Sequence, residues 1–185
     1  MPMKKLLIMR HAKSSRKDAA TSDFDRPLNK QGKHDAQRIG EWLVEQILIP
    51  DLIVSSAAKR AKSTAKRVAG AFRTDVAIRF TESLYLAPSS VYLNVLSELS
   101  YEENDDTQSD GSQFNCVLII GHNPGAGHLL FDLTGEIREM PTAALAILEL
   151  PIESWGELTA LSPSSGRSAT LKTYVQPKDL RHSDD

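Results

Sequence analysis

Leu6-Leu7-Ile8-Met9-Arg10-His11-Ala12, near the start of the chain, decides the reading of the fold, and Val117-Leu118-Ile119-Ile120-Gly121-His122-Asn123-Pro124-Gly125 answers it past the middle. Each is a short apolar run that stops abruptly at a histidine with polar or small neighbours. Runs this rich in Leu, Ile and Val read as strands buried on both faces. In open α/β sheets, ligand sites lie just beyond the carboxyl ends of such strands. Two histidines at two such ends, one beside an arginine, point to a pocket for an anion that an imidazole can attack.

Working outward, strand and helix periods alternate. Lys4–Met9 reads as a strand and Lys13–Arg26 as a polar loop. A helix is expected from Asn29 as N-cap, with apolar positions at Ala36, Ile39, Trp42, Leu43 and Ile47, and Pro50 ends it. Asp51–Ser55 is a second short strand, Ala57–Phe72 a basic amphipathic helix, and Val76–Phe80 a third strand. Pro88–Leu99 is another helix, Cys116–Gly121 the second pocket strand, and Gly125–Leu133 the helix after it. Ala144–Leu150 and Ala169–Val175 are late strands that pair antiparallel at one edge. Residues 101–115, crowded with Asp and Glu, form a flexible surface loop. The expectation is one α/β domain over 1–177, a three-layer α/β/α sandwich with a mainly parallel sheet, and a polar tail over 178–185.

Composition bounds the function. At 185 residues, 41% hydrophobic, 25% charged and net charge −2, the chain is long enough for one well-buried core and matches ordinary globular usage. No apolar stretch is long enough to span a membrane, and nothing resembles a nucleic-acid module. The single cysteine, Cys116, excludes an intrachain disulfide and a multi-cysteine metal site, and a reducing cytoplasm is the expected setting. Residues 1–79 carry 17 Lys+Arg against 8 Asp+Glu, and residues 80–185 carry 5 against 16. A basic surface beside the pocket would steer a phosphorylated or acidic partner toward it.

Three clusters carry chemistry. A buried strand has no structural use for the guanidinium of Arg10, whereas arginine suits bidentate recognition of phosphate. Ser55-Ser56-Ala57-Ala58-Lys59-Arg60-Ala61 follows a strand and opens a helix, whose N–H groups and dipole favour anions. Arg60 either points back at that anion or lies on the surface among Lys59, Lys62, Lys66 and Arg67. Gly121-His122-Asn123-Pro124-Gly125 makes a tight strand-to-helix turn that aims His122 at the same crevice. His34, His128 and His182 read as surface or packing residues, and Trp42 as core.

Together, Leu7-Ile8-Met9-Arg10-His11-Ala12-Lys13-Ser14, Asp25-Arg26-Pro27-Leu28-Asn29 with Gly32, Ser55-Ser56 through Arg60-Ala61, and Gly121-His122-Asn123-Pro124 resemble the histidine phosphatase superfamily, and most closely its small SixA-like phosphohistidine phosphatases. The resemblance runs from residue 4 to about residue 135. It implies a phosphoglycerate mutase-like fold and a metal-independent, cofactor-free phosphatase. His11 would be the nucleophile that takes the phosphoryl group, and Arg10, Arg60 and His122 would hold the phosphoryl oxygens. Mutase-like relatives place a proton-donating glutamate after the third strand. Glu82 stands in that region, as a candidate donor or as a solvated loop carboxylate. Arg26, with Lys13 and Ser14, would border the entrance and touch substrate. The implied substrate is phosphohistidine on a protein such as a phosphotransfer domain. A small-molecule phosphomonoesterase and an inactive phosphate-binding module are the alternatives.

Overall fold

The computed structural model describes residues 3–17, 19–101 and 114–180. Six strands, β1 (Lys4–Arg10), β2 (Leu52–Ser56), β3 (Ala77–Thr81), β4 (Cys116–Gly121), β5 (Leu145–Leu150) and β6 (Thr170–Val175), form one sheet in the order β3-β2-β4-β1-β5-β6. The pairs β3-β2, β2-β4 and β4-β1 are parallel. β5 is antiparallel to β1, and β6 to β5, so the two late strands form the expected antiparallel edge.

Alternation along the central strands builds both cores. From β1, Leu6 and Ile8 enter one apolar cluster, and Leu7 and Met9 the other. The second cluster is completed by α1 (Lys30–Glu45) and α2 (Lys59–Ala69). The first is completed by α3 (Ser89–Ser97), α4 (Gly125–Thr134) and the 3-10 helix Trp155–Ala160. This is the expected three-layer sandwich. Handedness explains the split: the steps β1→β2→β3 cross the sheet one way, and β3→β4 returns. Right-handed crossovers therefore put α1 and α2 on one face and α3 on the other.

Three boundaries depart from the sequence reading. Asn29 does cap α1, its side chain accepting from Gly32 N at 2.7 Å, but the helix stops at Glu45, well before Pro50. Ile47 then takes a left-handed φ of 53° and is 91% exposed, so it does not belong to the core face. The expected tail from 178 is folded back through Leu180: Pro177–Leu180 is a 3-10 turn, Leu180 packs on the α1 side, and Arg38 Nε donates to its carbonyl at 3.3 Å. The helix expected over Ala57–Phe72 is shorter at both ends, running from Lys59 to Ala69. Most of the acidic loop 101–115, and His182, lie outside the described residues. Cys116 opens β4 buried, and desolvation pushes its thiol up to about 12. Among the described residues, no helix is long and apolar enough to cross a membrane.

The start of α1 is fixed against the segment that follows β1. Asn29 N donates to Lys13 O at 3.0 Å, and a Cβ on Gly32 would meet that same carbonyl oxygen at 2.0 Å. Gly32→Ala should therefore cost stability at or above the upper end of the usual overpacking range, about 3 kcal/mol. Urea denaturation measures it. An unchanged midpoint would show that the segment yields without penalty.

Candidate active site

Parallel register brings three strand ends to one level. Arg10 pairs with Gly121 across β1 and β4, and Ser55 pairs with Ile120 across β2 and β4. The ladder continues one step further, since His11 N donates to Gly121 O at 2.9 Å. Arg10 and His11, Ser56, and His122 thus leave three adjacent strands side by side. A cleft of about 480 Å³ opens there, lined by Arg10, His11, Asp23, Arg60 and His122 among others.

Hydrogen bonding fixes the state of His11. Nδ1 lies 2.8 Å from the Ala12 carbonyl, which accepts only, so Nδ1 carries the hydrogen. Nε2 is then the bare nitrogen, and it accepts from Arg60 Nε at 3.1 Å. Burial, with the His122, Arg60 and Arg10 charges adding to it against the Ala12 bond, holds the His11 pKa at about 3. His11 is a neutral imidazole with its lone pair turned to Arg60. Its ring lies 5.0 Å from that of His122. His122 is 1% exposed, with Nε2 at 2.8 Å from Ser56 Oγ and Nδ1 at 3.3 Å from Arg60 Nη2. Burial first, then Arg60, lowers its pKa to about 4. Tyr92 seats it, its hydroxyl accepting from His122 N at 2.9 Å.

Arg60 is 3% exposed, which rejects the surface alternative. Its Nη2 forms an ion pair with Asp23 Oδ2 at 2.9 Å, and Nη1 donates to the Asp23 carbonyl. Thr64 ties this turn of α2 to the nucleophile's segment: its hydroxyl donates to Arg60 O at 2.7 Å and accepts from Ala12 N at 3.0 Å. Asp23 also accepts from Tyr85 OH at 2.7 Å and from Arg26 Nη1 at 2.7 Å. Those bonds, Tyr85 first, hold its carboxyl well below the usual carboxylate range. On the opposite wall, Arg10 Nη1 and Asn123 Nδ2 both donate to Met140 O, at 3.0 and 2.8 Å.

The structure thus brings Arg10, His11, Arg60 and His122 together, and it does not bring Glu82 to them. Thr81 caps a 3-10 turn that begins at Glu82 and leaves its carboxylate in solvent, while Leu84 enters the core and Tyr85 faces the cleft. Lys13, Ser14 and Arg26 line the cleft. Arg26 also clips the loop, donating to Ser15 O, Asp23 and Ser14 Oγ. The start of α2 is less open to an anion than its sequence implies, because Lys59 N donates to Phe24 O and Ala58 N to Ser56 Oγ. Asp23 and Tyr85 were missed by sequence reasoning. Asp23 lies in a polar stretch with no period, and only its contact with Arg60 distinguishes it from its neighbour Asp25.

Two buried neutral histidines make stability depend on acidity. In the unfolded chain both titrate near 6.5, and in the fold at about 3 and about 4. The unfolded state therefore binds more protons below pH 6.5. Their contribution is complete above that pH and is lost as pH falls toward 4, by up to about 1.4 kcal/mol per pH unit for each. Urea midpoints measured from pH 7 to 4 should fall, and His122→Gln should flatten the slope. Parallel curves for the two proteins would show that His122 is protonated in the fold.

Residues 6–84 match the family model of the histidine phosphatase superfamily (branch 1). An uncharacterised chloroplastic protein of Arabidopsis thaliana is 28% identical over 165 residues, covering 88% of this chain and 74% of that one. Among solved structures, one assigned as the phosphohistidine phosphatase SixA of Agrobacterium tumefaciens superposes with a TM-score of 0.74 at 25% identity, covering 94% of this chain and 98% of its own. Another, assigned as SixA of Nakamurella multipartitia, gives 0.76 at 22% identity, over 96% and 98%. The sheet order, the level strand ends and the Arg10, His11, Arg60 and His122 cluster thus go together with a match to the histidine phosphatase superfamily model over residues 6–84 and with the fold of the structures assigned as SixA.

Proposed function

We propose that the protein is a phosphohistidine phosphatase, acting on phosphohistidine carried by a protein and passing the phosphoryl group through His11 Nε2. The observation that carries the substrate choice is the state of Asp23. Among the described residues lining the cleft it is the carboxyl group present, and its three donors keep it ionised. A phosphate ester leaves as an alkoxide and gains much from a general acid. A phosphoimidazole already protonated on its distal nitrogen leaves as neutral imidazole and needs none. The similarity to structures assigned as SixA supports the same choice. The proposed setting is the cytoplasm, where the lone buried thiol stays reduced.

In the first step the His11 Nε2 lone pair forms a bond to phosphorus, and the electron pair of the breaking P–N bond returns to the leaving nitrogen. Arg10 and Arg60 hold the equatorial oxygens, with His122 beside them, and neutralise charge spread over them. The Ala12 carbonyl, accepting from Nδ1, stabilises the cationic ring that forms. Water then attacks phosphorus, its proton leaves with phosphate or solvent, and Nε2 recovers its lone pair.

Arg60→Ala should lower turnover by about a hundredfold or more, as loss of a transition-state donor does. Lys62→Ala, two positions on and in the same helix, should change it little. Steady-state rates on a phosphohistidine-bearing protein and on sugar phosphates, with chelator present, test the substrate. Higher kcat/KM on the protein, insensitive to chelator, is expected. Higher kcat/KM on the sugar phosphates would make the protein a small-molecule phosphomonoesterase, and no turnover of either would make it a binding module.

A further inference from the structure

Among the described residues six large apolar side chains are exposed: Met3, Ile47, Phe80, Leu86, Phe131 and Ile137. Three of them line two depressions that share a wall. Leu86 lines the phosphoryl cleft. Phe131 and Ile137 line a second groove, of about 690 Å³, whose wall includes Met140 and Pro141 and which shares Arg10 and Asn123 with the cleft.

None of the three is there to complete the core. α4 buries Ala126, Leu129, Leu130 and Leu133, and Phe131 stands 46% exposed among them. Gly135, left-handed at φ 76°, ends that helix, and Ile137 then projects 86% exposed. Leu86 is the most telling. It is 54% exposed and adopts a left-handed φ of 49°, a conformation that disfavours a branched side chain by about 1 kcal/mol or more. The loop keeps that strain and gains no burial of the side chain from it. Exposed apolar side chains clustered at one place mark interaction surfaces.

We infer that Leu86, Phe131 and Ile137 form the docking surface for a folded protein that presents the phosphoryl-bearing side chain. This rests on the reading of the cleft as the phosphoryl site. The choice of a protein follows from the layout: Phe131 and Ile137 line the groove and not the cleft, so a substrate touching both must extend well past the phosphorylated residue. Lys13 and Arg16, exposed and lining the cleft but not the groove, set the charge of that partner. It carries both apolar and acidic side chains beside its phosphohistidine.

The test compares two substrates: a phosphotransfer domain phosphorylated on histidine with phosphoramidate, and free phosphohistidine. The variant is Phe131→Ser/Ile137→Ser, and the control is Ile47→Ser, an exposed apolar side chain just past α1, before β2 begins. With the domain, kcat/KM of the double variant should fall about tenfold or more, through KM, since each apolar side chain contributes on burial. With free phosphohistidine it should stay unchanged, and Ile47→Ser should match wild type on both. Wild-type rates on the domain in the double variant would overturn the docking surface and leave the phosphatase reading standing. Equal losses on both substrates would make the groove a small-molecule subsite and overturn it too. A wild-type dimer in sedimentation that the double variant abolishes would assign the surface to a second copy of this chain instead. Turnover of neither substrate by wild type would remove the functional reading, and the docking surface with it.

Discussion

The burial of the Arg60 guanidinium governs the arrangement of everything around it. A cation that is 3% exposed requires fixed partners, because leaving it unpaired would cost several kcal/mol. The partners come from three directions: the carboxylate and carbonyl of Asp23, the bare nitrogen of His11, and His122 Nδ1. Each partner is then held in turn. Tyr85 and Arg26 fix Asp23, Thr64 joins Arg60 to Ala12, and Ser56 lies against the far nitrogen of His122. The loop over the cleft is therefore organised by electrostatics, since it has little apolar surface of its own to bury.

The same cation sets the chemistry. A guanidinium cannot accept a hydrogen bond, so a nitrogen facing it must be a lone pair. Arg60 and the Ala12 carbonyl together select one tautomer of His11, the one whose Nε2 carries the lone pair and accepts from Arg60. Desolvation and neighbouring positive charge keep that ring neutral far below its ordinary pKa. A phosphoryl group entering the cleft supplies the negative charge that three neighbouring cationic or imidazole groups lack. Asp23 supplies part of that charge to Arg60 in the structure as it stands.

Much of this was legible in the sequence, and where it was not the reason is physical. The apolar runs before His11 and His122 read as central strands because strands covered on both faces leave little choice of residue. Arg10, Arg60 and His122 read as one site because each follows a strand, and parallel strands end at the same side of a sheet. Asp23 and Tyr85 were invisible because neither has a periodic or motif context; each is placed by a long-range hydrogen bond. Glu82 stood open between donor and solvated carboxylate because the sequence does not show the 3-10 turn that leaves it exposed, and Ile47 was misplaced because the helix ended a turn early. Short-range helix endings and loop rotations are set by tertiary contacts that a single sequence does not display.

In the proposed reaction His11 Nε2 is the atom that receives the phosphoryl group. Rapid mixing with a phosphohistidine substrate, quenching in alkali and mapping the labelled peptide by mass spectrometry measures this directly. An acid-labile phosphoryl group on His11, formed and lost at rates that account for turnover, is the predicted result. Turnover with the label on His122, or with no labelled protein at any time, would contradict it.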